Sequence, residues 1–227
     1  KLDTNIDIAG TFDVTGATVL DSTLTVASHV GIGTTSPTTF SGYVSVHHKN
    51  TAGDAIHLIE SDGGIIGQTF VNDASGVVTT GARSNHPWRV TTNDTERLRV
   101  DTSGNVGIGV TPSTWPRNRD FVGLQVGSGL SLYGRGSGDQ DRVGMTANAY
   151  VDTNDDRFEY IASGHATHFS HTDGNFRFYT APSGSANGAI TFTERLTVLN
   201  AGNVGIGTAS PATTLHLDAS GGAVMRL

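Results

Sequence analysis

The sequence predicts an all-β protein, and three of its features support that prediction. Threonine and valine, which favour strands over helices, are frequent along the 227-residue chain. Short apolar segments alternate with polar residues at a period of two, as in Leu98-Arg99-Val100. The 30 glycines, together with Asn, Asp and Ser, supply frequent turns between these segments. Many short strands joined by tight turns are therefore expected.

One stretch of the sequence occurs twice in nearly the same form. Residues 95–110 read TERLRVDTSGNVGIGV, and residues 193–208 read TERLTVLNAGNVGIGT. A shorter echo, LTVASHVGIGTTSP, occupies residues 24–37. Internal repeats of short strands that bury little by themselves are typical of proteins that stack along an axis. The repeat therefore predicts a module that is copied to gain length.

Each long copy of the repeat predicts a β-hairpin. Leu98 and Val100 share one face of a first strand, and Val106 begins a second strand with the same alternation. Gly104 lies between the two strands, where a turn benefits from a residue that accepts positive φ. Gly202 occupies the same place in the second copy.

The residues that recur in both copies are predicted to have structural roles. A glycine within a strand is favoured where another backbone or a symmetry axis lies too close for a Cβ atom. The recurring glutamates are predicted to pair with Arg97 or Arg195, or with a neighbouring chain. The predicted structural set is Glu96, Arg97, Gly104, Gly107, Gly109, Glu194, Arg195, Gly202, Gly205 and Gly207.

These glycines do not form a nucleotide-binding loop. Between Gly202 and Gly207 their spacing is G-x-x-G-x-G, which reverses the order of the dinucleotide fingerprint. Pro211 follows, where that fingerprint requires an amphipathic helix. The sequence therefore favours structural glycines.

The repeat also predicts the domain organisation. Residues 1–37 are predicted to form a trimeric β shaft or linker, and residues 38–112 and 113–211 two β-modules that each end in the repeated hairpin. Residues 212–227 are predicted to start a further segment. An aromatic residue followed by Arg and an apolar residue precedes each hairpin, which predicts a strand that leads into it.

The first 37 residues predict self-association. Their apolar residues are separated by Gly, Thr, Ser and Asp, and no segment is long enough to form a sheet and bury both faces. Three copies wrapped around one axis would remove these side chains from water. The expected fold is all-β: an elongated homotrimeric fibre with a short intertwined shaft followed by stacked repeated β-modules.

Composition excludes several classes of partner. A net charge of −7 with scattered arginines disfavours nucleic acid, because phosphate binding needs clustered cations. The chain has no Cys, which excludes disulfides and thiolate metal sites. No stretch approaches the roughly 20 apolar residues of a membrane span, so membrane insertion is not expected.

The repeats resemble those of tail fibres of tailed bacteriophages. The segments that carry the resemblance are TERLRVDTSGNVGIGVTPS, TERLTVLNAGNVGIGTASPATTLHL and the leader GTFDVTGATVLDSTLTV, within residues 8–37, 95–112 and 193–217. In that family a GNVGIGT element often precedes an intramolecular chaperone of the endosialidase type. The resemblance implies a homotrimer in the virion, in contact with other tail or fibre proteins and with a glycan or protein receptor on the bacterial surface.

One candidate receptor-binding region follows the first long repeat. Trp115, Arg117 and Arg119 lie in TWPRNR, a stretch without a counterpart in the other module. Inserted loops on a rigid β scaffold often carry binding residues. Aromatic faces stack on sugars, and Arg supplies directional hydrogen bonds. The alternative for Trp115 is a packing role between stacked units.

A second candidate region combines tyrosines and arginines among glycines. The tyrosines are Tyr133, Tyr150 and Tyr160, and the arginines are Arg135 and Arg142. Both regions are predictions about receptor contact.

The histidines and carboxylates predict no catalytic, metal or cofactor site. In a strand, His165 and His171 share a face while His168 points the other way, so these three do not converge on one metal; surface or interface histidines are expected. Asp152 opens a calcium-like loop that has Arg157 where the loop requires Gly, so a solvated acidic turn is expected. A glycosidase needs two carboxylates that converge on the sugar, and the spacing of the remaining candidates does not indicate such a pair. They are expected to be solvated loop charges: Asp139, Asp141, Asp155, Asp156 and Glu159.

The expected function is therefore that of a structural and adhesive protein rather than an enzyme. The alternatives are a glycan-degrading tailspike, a bacterial or prophage-encoded trimeric surface adhesin, and a fibre stem without receptor contact. A tailspike would show a long β-helix of regular coils with clustered carboxylates, which the sequence does not suggest.

Overall fold

The computed structural model describes residues 30–32, 46–50, 53–116, 121–135, 142–153 and 157–218. These residues form strands and turns, and the prediction of an all-β fold is confirmed for them. No described segment is a helix of the length and apolar character that crossing a membrane requires. Apart from Val30–Ile32, the predicted shaft lies outside the described residues.

The strands are short, as the spacing of turn residues predicts. In chain order they are β1 Val30–Ile32, β2 Val46–His48, β3 Ala55–Glu60, β4 Ile66–Asn72, β5 Val77–Ala82, β6 Trp88–Thr92, β7 Thr95–Val100, β8 Val106–Ile108, β9 Phe121–Val126, β10 Leu130–Arg135, β11 Val143–Ala147, β12 Ala149–Val151, β13 Phe158–Tyr160, β14 Gly164–Thr172, β15 Asn175–Gly184, β16 Thr193–Val198, β17 Val204–Ile206 and β18 Leu215–Leu217.

Eleven of these strands form one sheet in the order β18-β17-β16-β15-β14-β11-β10-β9-β8-β7-β6. Smaller sheets pair β1 with β2 and β12 with β13, and place β4 between β3 and β5. Because β8 pairs with β9, the eleven-stranded sheet runs across residue 112, and both predicted modules contribute strands to it. By their contacts the described residues separate into two compact units. One contains those up to Leu58 with Thr69–Thr80, and the other contains Ile59–Gln68 with those from Gly81 onward.

Both long copies of the repeat form the hairpin that the sequence predicts. Strands β7 and β8 pair antiparallel, and so do β16 and β17. The predicted leading strands are β6 and β15, and each carries a register shift opposite its hairpin, between Val90 and Thr91 and between Phe178 and Tyr179. The two copies therefore share their irregularities as well as their strands.

The Val-Gly-Ile element of all three copies forms a strand that pairs in parallel with the next strand. The aligned positions at the central glycines are Gly31 with His47, Gly107 with Gln125, and Gly205 with His216. The backbone N–H that follows the second strand donates to the carbonyl of the repeat Ile at 2.9 Å; the pairs are Lys49 to Ile32, Gly127 to Ile108, and Asp218 to Ile206. The short echo near the start thus forms the same parallel pair as the long copies.

The glycines within β8 and β17 make room for the loop that follows each strand. A Cβ atom on Gly107 would overlap the carbonyl oxygen of Val110 and the ring of Pro112, and one on Gly205 would overlap the carbonyl oxygen of Thr208. The close backbone is therefore the chain's own loop. The other glycines of the set have positive φ: Gly104 +85°, Gly109 +66°, Gly202 +90° and Gly207 +79°.

Replacing Gly107 by Ala should destabilise the fold by about 1–3 kcal/mol, since the added methyl group has no free space. Gly129 is the matched control, because a Cβ there meets nothing within 4 Å and its φ is not positive. Gly129→Ala should change the free energy of unfolding by less than about 0.5 kcal/mol. Chemical unfolding at one protein concentration measures both. Equal effects would show that the loop does not confine Gly107.

The recurring glutamates do not pair with the adjacent arginines, so that part of the prediction is wrong. Glu96 accepts hydrogen bonds from Nε and Nη2 of Arg99, both at 2.8 Å, and its pKa is lowered chiefly by that hydrogen bond. Glu194 lies 3.7 Å from Nε of Arg177 on the leading strand. Neighbours along a strand point to opposite faces, which separates Glu96 from Arg97.

Arg97 and Arg195 instead form hydrogen bonds with the strands that lead into their hairpins. Arg97 Nε donates to the hydroxyl of Thr92 at 2.7 Å, and Arg195 Nε donates to that of Thr180 at 2.9 Å. The repeat thus conserves one side-chain hydrogen bond across each hairpin as well as its glycines.

The two faces of the eleven-stranded sheet differ in what covers them. On one face, aromatic and small polar side chains are buried beneath the loop that contains Trp115 and the β12–β13 hairpin. The opposite face carries an apolar row to which every strand of the sheet contributes one residue. In strand order the row is Trp88, Val100, Val106, Leu124, Leu132, Met145, Phe169, Phe178, Leu196, Ile206 and Leu217.

This side of the sheet is referred to below as the apolar face. A second row on it includes Val122, Val143, Phe176 and Leu215, which are between 43% and 53% exposed. Side chains aligned across adjacent strands point to the same side, so both rows belong to one continuous surface.

Candidate functional site

Aromatic rings gather on the covered face of the sheet around Trp115. Its side chain is 0% exposed, and its ring centroid lies 5.6 Å from that of Tyr133 and 6.5 Å from that of Tyr150. Phe121 meets Tyr133 edge to face at 5.6 Å. The fully enclosed indole occupies a packing position, in line with the alternative that the sequence left open for this residue.

Each of three buried aromatic residues lies over a glycine of the sheet. The pairs are Trp115 over Gly123, Tyr133 over Gly144, and Tyr160 over Gly184, and in each pair a Cβ on the glycine would overlap the ring. Glycine in a strand leaves a groove between the neighbouring side chains, and the ring fills it. This packing fixes where the rings lie relative to the sheet.

The other candidate receptor-binding residues have different environments. Tyr160 is 3% exposed, and its hydroxyl donates to the carbonyl of Pro182. Tyr150 is half-buried, and its hydroxyl donates to Glu159 Oε2 at 2.9 Å. Arg117 and Arg119 lie outside the described residues. A side chain enclosed in the core of its own chain cannot contact a ligand. Among the three tyrosines of the second predicted region, Tyr150 is therefore the most accessible.

The acidic residues near β12 and β13 are not solvated loop charges, and that prediction is wrong for the described ones. Asp152 is 8% exposed, and its N–H donates to the carbonyl of Arg157 at 2.8 Å. Glu159 is 6% exposed and is held by Arg157 Nη2 at 2.9 Å as well as by Tyr150. These two acidic residues lie on or beside the β12–β13 hairpin, which packs on the sheet. Hydrogen-bonding partners on the hairpin explain why they can be buried. Asp139, Asp141, Asp155 and Asp156 lie outside the described residues.

A cavity of about 270 Å³ opens on the same covered face, and we call it the ring cavity. Four aromatic side chains contribute to its walls: Phe121, Tyr133, Phe158 and Tyr179. The polar lining includes two arginines, Arg142 and Arg177, two hydroxyl side chains, Ser170 and Thr172, and the imidazole of His168. Tyr133 and Arg142, which the sequence placed in one candidate region, thus line one cavity.

His168 forms the floor between these aromatic walls. It is 8% exposed, its Nε2 and the hydroxyl of Tyr133 share a hydrogen bond of 2.6 Å, and its ring stacks on Tyr179 with centroids 5.2 Å apart. Burial lowers the pKa of His168 to about 4, so the ring is neutral near pH 7. Burial also raises the pKa of Tyr133, so its hydroxyl stays protonated near pH 7.

The sequence foresaw the directions of the histidines but not their environments. His165 is exposed and His168 is buried on the other face of β14, as strand alternation predicts. The expectation of a surface or interface histidine is wrong for His168. Its neighbours Ala166, Ser170 and Thr172 are also buried, and this run of small residues at every second position was the signal for a covered face.

One carboxylate that lies beside a cavity residue belongs to the repeat. Glu194 lies 3.7 Å from Nε of Arg177, and neither that nitrogen nor Glu194 Oε1 has a hydrogen-bond partner among the described residues. Among those residues no group of three or more His, Cys, Asp or Glu is placed to hold a metal ion. The described chemistry of the ring cavity is therefore aromatic surface, hydroxyls, one neutral imidazole and guanidinium groups.

Comparison with known proteins adds no assignment. A scan against models of protein families finds no match, and a search of curated proteins finds none either.

Proposed function

We propose that this chain is a segment of a bacteriophage tail fibre, assembled as a homotrimer, which extends from the virion and attaches to the host cell surface. Its partners would be two further copies of itself, other tail or fibre proteins, and a bacterial surface receptor. The single observation that carries the proposal is the apolar face. Leu132, Met145, Phe178 and Ile206 belong to the row that crosses all eleven strands, and they are 39%, 46%, 43% and 47% exposed.

An apolar surface that spans eleven strands is unlike the isolated exposed side chains of a monomeric protein. Burying the remaining surface of each such side chain would contribute on the order of 1 kcal/mol. A second and third copy of the same face are the natural cover, since the row consists of the same kinds of residue along its length. The number three comes from the resemblance of the repeats to trimeric fibres.

The repeated topology supports the mechanical part of the proposal. Each long copy of the repeat joins an antiparallel hairpin to a parallel strand pair, and the short echo has the same parallel pair with the same backbone hydrogen bond. Because each repeat ends in a strand that pairs with the next segment, further repeats can add strands to the sheet. Such growth suits a fibre that has to be long. This proposed role requires no catalysis, and the proposed function is not that of an enzyme.

The test is the mass of the protein in solution, measured by light scattering during size exclusion. The expected mass is three times the 23.6 kDa of one chain. Leu132→Asp places a charge on the apolar face and should reduce the mass to that of one chain. Ala186→Asp, at an exposed position after β15, should leave the trimer intact. A compact, stable monomer of the unmodified chain would refute the proposal.

Attachment needs its own measurement. Fluorescently labelled trimer should bind to host cells and be displaced by excess unlabelled trimer, whereas Leu132→Asp should bind more weakly because it loses three-fold avidity. A trimer that binds no bacterial surface tested would leave a fibre stem as the function.

A further inference from the structure

We propose that neighbouring copies of this chain pack with a ridge on one apolar face seated in a groove on the next. The inference rests on the proposed function, because it names the contact by which the copies would assemble. It is drawn from a third row of side chains on the apolar face, which changes from large to small residues across the sheet.

The large half of this row lies on the strands nearest one edge of the sheet. Its side chains are aligned across adjacent strands, from β6 to β9, and each is Val, Leu or Ile. We call this set the ridge: Val90, Leu98, Ile108 and Val126. All of them except the half-buried Leu98 are exposed. Because neighbouring strands lie about 4.8 Å apart, the ridge presents one apolar side chain at each such interval.

The small half of the row lies beyond β10 and leaves a groove in the apolar face. Its residues are Ala147 on β11, Thr167 on β14 and Thr180 on β15, which are aligned with one another and exposed. These three residues line a cavity of about 570 Å³, which we call the groove. Longer apolar side chains from neighbouring positions also line it: Leu130, Met145, Phe169 and Phe178. Short side chains bordered by long ones thus form an apolar depression in the face.

The sizes of the two halves favour a second copy of this chain as the occupant of the groove. If ridge met ridge, the two faces would be held apart, and the side chains of the groove would lose van der Waals contact. Seating the ridge in the groove brings the faces together, and one strand spacing sets the interval between side chains in both. Two different parts of the same face then meet, which is the heterologous kind of contact that closes into a ring of copies.

The extent and charge of the face also suit a second copy. With strands about 4.8 Å apart and alternate residues about 7 Å apart, three rows on eleven strands cover on the order of 700 Å². A stable interface buries roughly 800 Å² of each partner. The row that crosses all eleven strands and the third row contain no charged residue at the positions that the structure aligns, and the core of an interface is depleted of charge.

Cysteine cross-linking of the assembled protein tests this contact, and the chain has no Cys of its own to interfere. The double variant carries Ile108→Cys on the ridge and Thr167→Cys in the groove. In the sheet order, β14 is the fourth strand from β8, which separates the two positions by about 19 Å. A disulfide needs Cα atoms within about 7 Å, so oxidation or a short bismaleimide joins different chains only.

We expect the double variant to give covalently joined chains under denaturing conditions, up to a closed ring of three, whereas each single variant remains as separate chains. Ile108→Cys combined with Ala186→Cys is the matched control and should also remain separate. Cross-linking of Ile108→Cys alone, or of Thr167→Cys alone, would place like against like and overturn the proposal. An assembled double variant that does not cross-link would overturn it as well, because another surface or another partner would then cover the groove.

A second variant tests the fit by size. Thr167→Trp fills the groove at an exposed position, so one chain should still fold, and association should weaken about tenfold or more because the ridge is displaced. Thr91→Trp, exposed on the other face of β6, is the matched control and should associate as the unmodified chain does. Light scattering over a dilution series measures association. If Thr167→Trp associates as tightly as Thr91→Trp, the proposal is wrong.

The outcome is separable from that of the proposed function. A trimer that cross-links like to like would reject the ridge and groove and keep the fibre. A protein of two chains by light scattering, whose double variant cross-links, would keep the ridge and groove and reject the homotrimer.

Discussion

Trp115→Ala should lower the free energy of unfolding by about 3–5 kcal/mol, the largest single-residue effect expected in this chain. The indole is 0% exposed and lies over Gly123 between Tyr133 and Tyr150. Its removal leaves a large void. Tyr133 could fill that void only by moving away from Gly144, on which it packs. Urea unfolding followed by circular dichroism, at one protein concentration because assembly contributes to stability, measures the change.

Two variants frame the result for Trp115. Trp115→Phe keeps an aromatic ring and should cost less, since the indole nitrogen has no hydrogen-bond partner to lose among the described residues. Ile59→Ala removes an apolar side chain that is 67% exposed and should change the free energy by about 0.5 kcal/mol or less. If Trp115→Ala were as mild as Ile59→Ala, Trp115 would not belong to the core, and its role as a receptor contact would regain support.

Acidification should remove about 3 kcal/mol of stability through His168 between pH 6.5 and pH 4. Its pKa falls from 6.5 to about 4 on folding, so the unfolded chain binds a proton in this range that the folded chain does not. Stability is therefore fully present above pH 6.5 and decreases as the pH falls towards 4. The slope is about 1.4 kcal/mol per pH unit.

The contribution of His168 is isolated by comparing variants across the same pH range. His168→Gln keeps an amide that can hydrogen-bond the Tyr133 hydroxyl and removes the titration, so its stability should fall less steeply than that of the unmodified protein. His165→Gln, at an exposed position on the same strand, should follow the unmodified protein. Identical pH profiles for all three would show that His168 is not the group that titrates.

The sequence determined the local structure of the repeat. Alternation of Leu98 and Val100 and the Ser-Gly turn predict the hairpin, and the aromatic-Arg-apolar pattern predicts the leading strand, because strand direction and turn geometry depend on near neighbours in the chain. Repetition also showed that Gly107 and Gly205 mark a close backbone approach. It could not show that the approaching backbone is the loop ending in Pro112, since that requires knowing where the chain goes next.

Side-chain partners were not determined by the sequence, because a partner across the sheet depends on register. Glu96 is adjacent in sequence to Arg97 but binds Arg99 and Arg89, and Glu194 lies by Arg177, seventeen positions earlier in the numbering. A register shift in each leading strand decides which Arg meets which Glu. Such shifts follow from packing of whole strands and leave little trace in composition.

What the chain's sequence determined by itself is an all-β fold built from a copied hairpin, since strand propensity, alternation and turn residues act over a few positions. The tertiary structure alone decided that Trp115 and Tyr133 are core residues and that His168 and Tyr179 meet Arg142 and Arg177 at one cavity. It also decided that one face of an eleven-stranded sheet carries a row of apolar side chains from one edge strand to the other. These features arise because residues far apart in the chain share a face only after the strands have been placed in order.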